Sequence, residues 1–164
     1  KEALEKVAGS EVRGYRNHYL RFRTPSSWEM LEEAGFAYDT TFGYPDHVGF
    51  RNGMCHPFRP FNDNTGKLQR ILEIPLVVMD GSLLSYMNLD EKRSVETVKR
   101  LVDTVCEYRG VLTVLWHNVQ LAKRSPRRIY EELLEYSRSK GAWLTSTDEM
   151  YKWWSAHDFM REGG

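Results

Sequence analysis

The chain has 164 residues, enough for one ordinary domain with a real core. Its 23 basic and 23 acidic residues cancel, which excludes a strongly charged scaffold for nucleic acid or for an anionic membrane surface. No segment has the length and apolarity of a membrane span and no signal peptide is visible, so the sequence reads as soluble, in a compartment it does not name.

Residues 1–7 read as the end of a helix with Gly9 as its stop, and an opening without methionine inside a helix is what a cut terminus would give. Residues 12–16 form a short strand. Thr24 and Pro25 then supply an N-cap and a first helical position, Trp28 and Leu31 an apolar stripe, and Gly35 an end. Residues 36–42 have the aromatic and β-branched content of a strand. Residues 43–66 are a long loop rich in Gly, Pro and Asn, of a length that suits a functional segment. Residues 72–80 are a further strand, which Pro75 demotes in part to an edge or a bulge.

Val95, Val98, Leu101, Val102 and Val105 recur at helical spacing before Gly110. Residues 111–115 are an unbroken apolar strand, of the kind buried on both faces. Ser125-Pro126 opens a helix carrying Ile129, Tyr130, Leu133 and Leu134 and closing at Gly141. The clusters Lys123-Arg124 and Arg127-Arg128 are read as its solvated face. Residues 142–145 are a last short strand, and Ser146 with Glu149 forms a capping box for a terminal helix. Cys106 is expected to pack on the apolar face of its helix. Cys55 lies in the long loop, and the two thiols lack metal-ligand spacing.

Alternation of this kind predicts an α/β fold with about five parallel strands, as a single domain over residues 1–164. Exposed sheet edges in so short a sheet would be open to self-association. Polar side chains at the carboxyl ends of parallel strands line the usual active-site face of such folds. His117 stands where residues 111–115 stop, and Arg16 and His18 stand at the end of an earlier strand, so these ends are expected to form a site.

Several stretches resemble the polysaccharide deacetylases of carbohydrate esterase family 4. Residues 12–19 (VRGYRNHY) resemble the family's third motif, Arg-x-Pro-aromatic, with His18 in place of the proline. AGFAYDTT at 34–41 resembles its "AGF.YDSS" stretch, LEIP at 72–75 its "LEIP" strand, and Leu115-Trp116-His117 its fifth motif, Leu-x-His. Residues 142–154 resemble its last strand and helix. The first motif, with paired aspartates, and the second, His-x-x-x-His, have no counterpart in this sequence. The resemblance therefore implies the C-terminal part of a (β/α)7-type barrel, with strands and metal motifs missing at the N-terminal side.

The same resemblance implies metal-dependent hydrolysis of the acetamide of N-acetylated oligo- or polysaccharides. The divalent metal, zinc first among candidates, belongs to the complete enzyme and is not expected to be held tightly by this chain alone. His117 matches the acid that protonates the departing amine, a role an imidazole fills near neutral pH. Arg16 matches the arginine that orients the catalytic aspartate. Asp80 is either the partner of His117 or a turn aspartate before Gly81. His18 either contacts substrate or is a packed histidine. Trp116 and Arg59, with Phe58 and Phe61, would form a sugar-binding rim, and Asp39 is either a strand-end hydrogen bonder or a cleft residue. The competing reading is a non-catalytic carbohydrate-binding or interaction module of the same fold. No Gly-x-Ser-x-Gly, P-loop or Gly-x-Gly-x-x-Gly pattern points to serine hydrolysis or nucleotide binding.

Overall fold

Two long amphipathic helices carry most of the helical packing. In α3 (Glu91–Glu107), Ser94, Val98, Val102 and Val105 fall on one buried face. The helix starts at Asp90, whose carboxylate accepts from the Arg93 N–H at 2.8 Å. In α5 (Arg124–Ser139), Ile129, Leu133 and Ser137 form the buried stripe. The two helices lie side by side, tied at the rim by Lys99 to Glu132 at 2.8 Å. The computed structural model describes residues 1–157, and none of its helices is long and apolar enough to cross a membrane. The last seven residues of the domain read from sequence lie outside the described residues.

The other α-helices are α1 (Glu2–Ala8), α2 (Ser26–Glu33), α4 (Asn118–Leu121) and α6 (Thr147–Ala156), with a 3-10 turn at His18–Leu20 and a π-helical turn at Ser82–Tyr86. The strands are short: β1 (Gly14–Tyr15), β2 (Tyr38–Asp39), β3 (Phe61–Asn62), β4 (Lys67–Leu68), β5 (Leu72–Glu73), β6 (Leu76–Met79) and β7 (Thr113–Leu115). β1, β2 and β5 form one parallel sheet in that order, β6 and β7 a second parallel pair, and β3 and β4 an antiparallel hairpin. The fold is thus mixed α/β, and among the described residues the strands do not close into a barrel.

The break between β5 and β6 falls at Ile74–Pro75. Proline has no N–H to give to a ladder, so the run read from sequence as one strand splits. Its first half pairs with β2 and its second with β7, and the Leu76 N–H still reaches the Phe42 carbonyl at 3.2 Å. The close approach of β1 to β2 requires Gly14, because a Cβ there would lie 2.2 Å from the Tyr38 ring.

Three apolar clusters fill the interior. Val77, Val78 and Leu83 meet Val98, Val102 and Leu133 between β6 and the long helices. Trp28, Phe36 and Ile71 form a second group under α2, and Tyr38, Leu72 and Ile74 a third against α6.

The structure corrects several expectations. Residues 142–145 form no strand. Trp143 and Leu144 are exposed, and among the described residues no strand pairs with this segment. The end of the long loop is not irregular: it holds β3 and a turn through Gly66 at φ 67°, which leads into β4 just beyond it. The helix expected from Thr24 begins at Ser26, and that expected from Ser125 begins at Arg124. Cys106 is exposed, because it sits outside the α3 stripe, whereas Cys55 is buried against Gly110. Phe58 packs on Trp28 and Phe42, at ring separations of 6.0 and 6.2 Å, so it is core and not a rim residue.

Candidate functional site

The β6–β7 register places Met79 beside Leu115, so the next residues of both strands emerge together at their carboxyl ends. Asp80 is wholly buried there. Its carboxylate accepts from the Gly81 N–H at 2.7 Å, from the His117 N–H at 3.0 Å and from His117 Nδ1 at 2.6 Å. A carboxylate offers only lone pairs, so the Nδ1 contact places the ring proton on Nδ1 and leaves Nε2 as the second functional atom. The His117 side chain is 50% exposed while that of Asp80 is 0%. One end of the imidazole is therefore fixed and the other open to solvent.

Arg16 occupies the matching place on the first sheet. The β1–β2 register sets Tyr15 beside Asp39, so Arg16 follows β1 where Thr40 follows β2. Arg16 Nε donates to Thr40 Oγ1 at 2.7 Å and to the Thr40 carbonyl at 3.2 Å. Its two terminal nitrogens make no hydrogen bond among the described residues. Burial lowers the guanidinium's pKa, and the nearby Asp39 and Glu73 oppose that shift. Because β5 and β6 are successive pieces of one chain running in the same sense, Arg16 and His117 lie at the same, carboxyl end of the parallel strands.

Beneath this end lies a pair that sequence reading left unjoined. Asp39 and Glu73 are register partners on β2 and β5, and both are wholly buried. Asp39 accepts from Thr41 Oγ1 at 2.7 Å and the Thr41 N–H at 2.9 Å. Glu73 accepts from Trp28 Nε1 at 2.7 Å and the Phe42 N–H at 3.2 Å. Burial, and then the adjacent Asp39, push the Glu73 carboxyl well above the usual carboxylate range. Burial also raises Asp39, against its hydrogen bonds to Glu73 and Thr41. An acidic residue inside the apolar run Leu72-Glu73-Ile74 was the available signal.

The remaining residues named from sequence are placed as follows. His18 is exposed near the end of β1, its ring 4.2 Å from that of Tyr19, which has φ 59°. Trp116 turns away from His117 and packs its ring 5.4 Å from Tyr130 on α5. Arg59 donates from Nη1 to the Arg70 carbonyl and lines a cavity of about 570 Å³ with Glu32, Phe36, Gln69, Ile71 and Tyr151. That cavity borders residues that precede β2 and β5, at the amino ends of these strands and opposite the end that carries Asp80 and His117. The structure thus brings Arg16, Asp80 and His117 to one end, with His18 nearby, and separates Trp116 and Arg59 from them.

Among the described residues no three His, Cys, Asp or Glu side chains gather into a group that could hold a metal ion. Neither a scan against protein-family models nor searches among characterised proteins and among solved structures finds a match to this chain.

Proposed function

We propose that this chain is the C-terminal part of a polysaccharide deacetylase-like (β/α) barrel that hydrolyses the acetamide of N-acetylated sugars. The observation that carries this reading is the Asp80–His117 pair, a buried carboxylate 2.6 Å from Nδ1 of a half-exposed imidazole. Amide hydrolysis adds a water oxygen to the acyl carbon and breaks the C–N bond. The departing nitrogen then needs a proton. His117 Nε2, protonated, supplies it, and Asp80 holds the ring in place and offsets the imidazolium charge.

Arg16 supports the reading in a second way. Its planar fork, held through Nε alone, leaves two terminal nitrogens for the carboxylate that takes the water's proton. That carboxylate and the metal ligands are requirements the reading places on sequence before Lys1. The parallel β1–β2–β5 and β6–β7 pairings, with β5 and β6 the successive halves of one run that pair on either side, are compatible with an arc of such a barrel.

The test is acetate release from N-acetylglucosamine oligomers by the protein with its sequence before Lys1 included, in the presence of zinc. Activity that falls at least about a hundredfold in His117→Ala is expected, since a general acid contributes on this scale. Sugar binding without acetate release, undiminished in His117→Ala, would replace this reading with the non-catalytic module, and acetate release indifferent to His117→Ala would remove His117 as the acid.

A further inference from the structure

We propose that Asp39 and Glu73 are positioning residues for Arg16, acting through the corner of chain at Thr40 and Thr41. The proposal rests on Arg16 being the guanidinium of the site proposed above. Two ionised carboxylates cannot lie side by side without water, and one proton between them converts repulsion into a hydrogen bond. With that proton, the buried Asp39 and Glu73 and the half-buried Arg16 together carry no net charge.

The pair is gripped from both sides. Glu73 is fixed by Trp28 of α2 and by the Phe42 N–H, both uncharged donors. Both oxygens of Asp39 are engaged by Thr41. Thr41 Oγ1, having given its proton to Asp39, accepts from the Asn17 N–H at 2.8 Å. Thr40, one residue earlier, holds Arg16 Nε. A line therefore runs from Trp28 to Glu73, across the β5–β2 register to Asp39, by hydrogen bonds to Thr41 and Asn17, and along the main chain to Thr40 and its bond with Arg16. The charged or titratable groups facing Arg16 are Asp39 and Tyr38 from β2 and Glu73 from β5. Since the terminal nitrogens of Arg16 have no other anchor among the described residues, this line decides where they sit.

The Nε–H resonance of Arg16 in ¹⁵N NMR, assigned by its loss in Arg16→Lys, reports the anchor without reference to catalysis. Slow hydrogen exchange is expected in the native chain at neutral pH, and also in Glu73→Gln, which keeps a neutral group able to bond Asp39. In Glu73→Leu, of similar bulk but unable to make that bond, and in Asp39→Asn, exchange is expected to quicken at least about tenfold, as the loss of one charge-assisted hydrogen bond brings. Thr41→Val, which breaks the line without burying a new charge, gives the same acceleration and serves if the acid variants do not fold. Slow exchange in a folded Glu73→Leu, Asp39→Asn or Thr41→Val would overturn the proposal. Acetate release with no such anchor sinks the positioning role alone. An anchor found in a protein that releases no acetate sinks the deacetylase reading alone.

Discussion

The buried carboxylate of Asp80 takes two hydrogen bonds from one residue, the backbone N–H of His117 at 3.0 Å and its ring Nδ1 at 2.6 Å. Such a double grip fixes both where the strand ends and how the ring is turned. An amide at position 80 would offer an N–H in competition with Nδ1–H. Asp80→Asn is therefore expected to shift His117 from the Nδ1–H to the Nε2–H tautomer, read directly from its ¹⁵N ring shifts. In the active protein proposed above, the same variant should lose at least about a hundredfold in kcat, since a wrongly protonated ring cannot act as the acid. An unchanged tautomer would mean that the backbone bond alone orients the ring.

Asp39 and Glu73 make a prediction about pH. Burial raises both carboxyls in the folded chain, Glu73 the more strongly. In the unfolded chain both titrate at ordinary values near about 4. The native state then keeps protons the unfolded state has lost, so stability falls as pH rises. This contribution is fully present below the ordinary carboxylate range and is lost progressively as pH climbs toward the raised native values. Urea midpoints measured from mildly acidic to mildly alkaline pH should decline for the native chain and decline less for Glu73→Gln, which has no proton to lose. A midpoint that climbs with pH over this window, equally in both proteins, would contradict the burial argument.

Asp148 has the opposite sign. The forked Arg13 guanidinium at 2.8 and 2.7 Å, with Lys152 at 2.9 Å, lowers its carboxyl to about 2. The stability it contributes is present above the ordinary Asp value and is lost as pH falls through about 2. Asp148→Asn should lower the urea midpoint at neutral pH, and the deficit should shrink in high salt, because the pair is partly exposed and screened. A deficit that persists unchanged below pH 2 would assign the effect to packing.

Leu133 tests the core behind the site. Its side chain is 1% exposed and packs with Val98, Val102 and Val78. Leu133→Ala should cost about 2–5 kcal/mol in urea unfolding, the transfer loss plus the cavity left behind. A cost under about 1 kcal/mol would mean that α3 and α5 close over the gap.

Much of the architecture was legible because it depends on local spacing. The valines of residues 95–105 predicted α3. Ser146 and Glu149 predicted a capping box, which forms with both reciprocal bonds at 3.2 Å. The placing of Arg16, Asp80 and His117 at strand ends followed from local composition: a short strand over 12–16, the run before Asp80, and the apolar run 111–115 that stops before His117. What escaped depends on register and on distant partners. Asp39 meets Glu73, and Arg13 meets Asp148, only once strands and helices are placed beside one another. The contact of Trp116 with Tyr130 likewise joins distant parts of the chain, and it was not legible before β7 and α5 were placed together. The β3–β4 hairpin had a visible cue in Asn62-Asp63-Asn64-Thr65-Gly66, a run of turn formers between two short strands. Residues 142–145 had strand composition but found no ladder to join.

At Pro75 the chain changes ladder partners. The sheet of β5 and its neighbours carries the guanidinium of Arg16, and the pair β6–β7 carries the imidazole of His117. A residue there able to donate an N–H would remove the local reason for handing the strand from one ladder to the other.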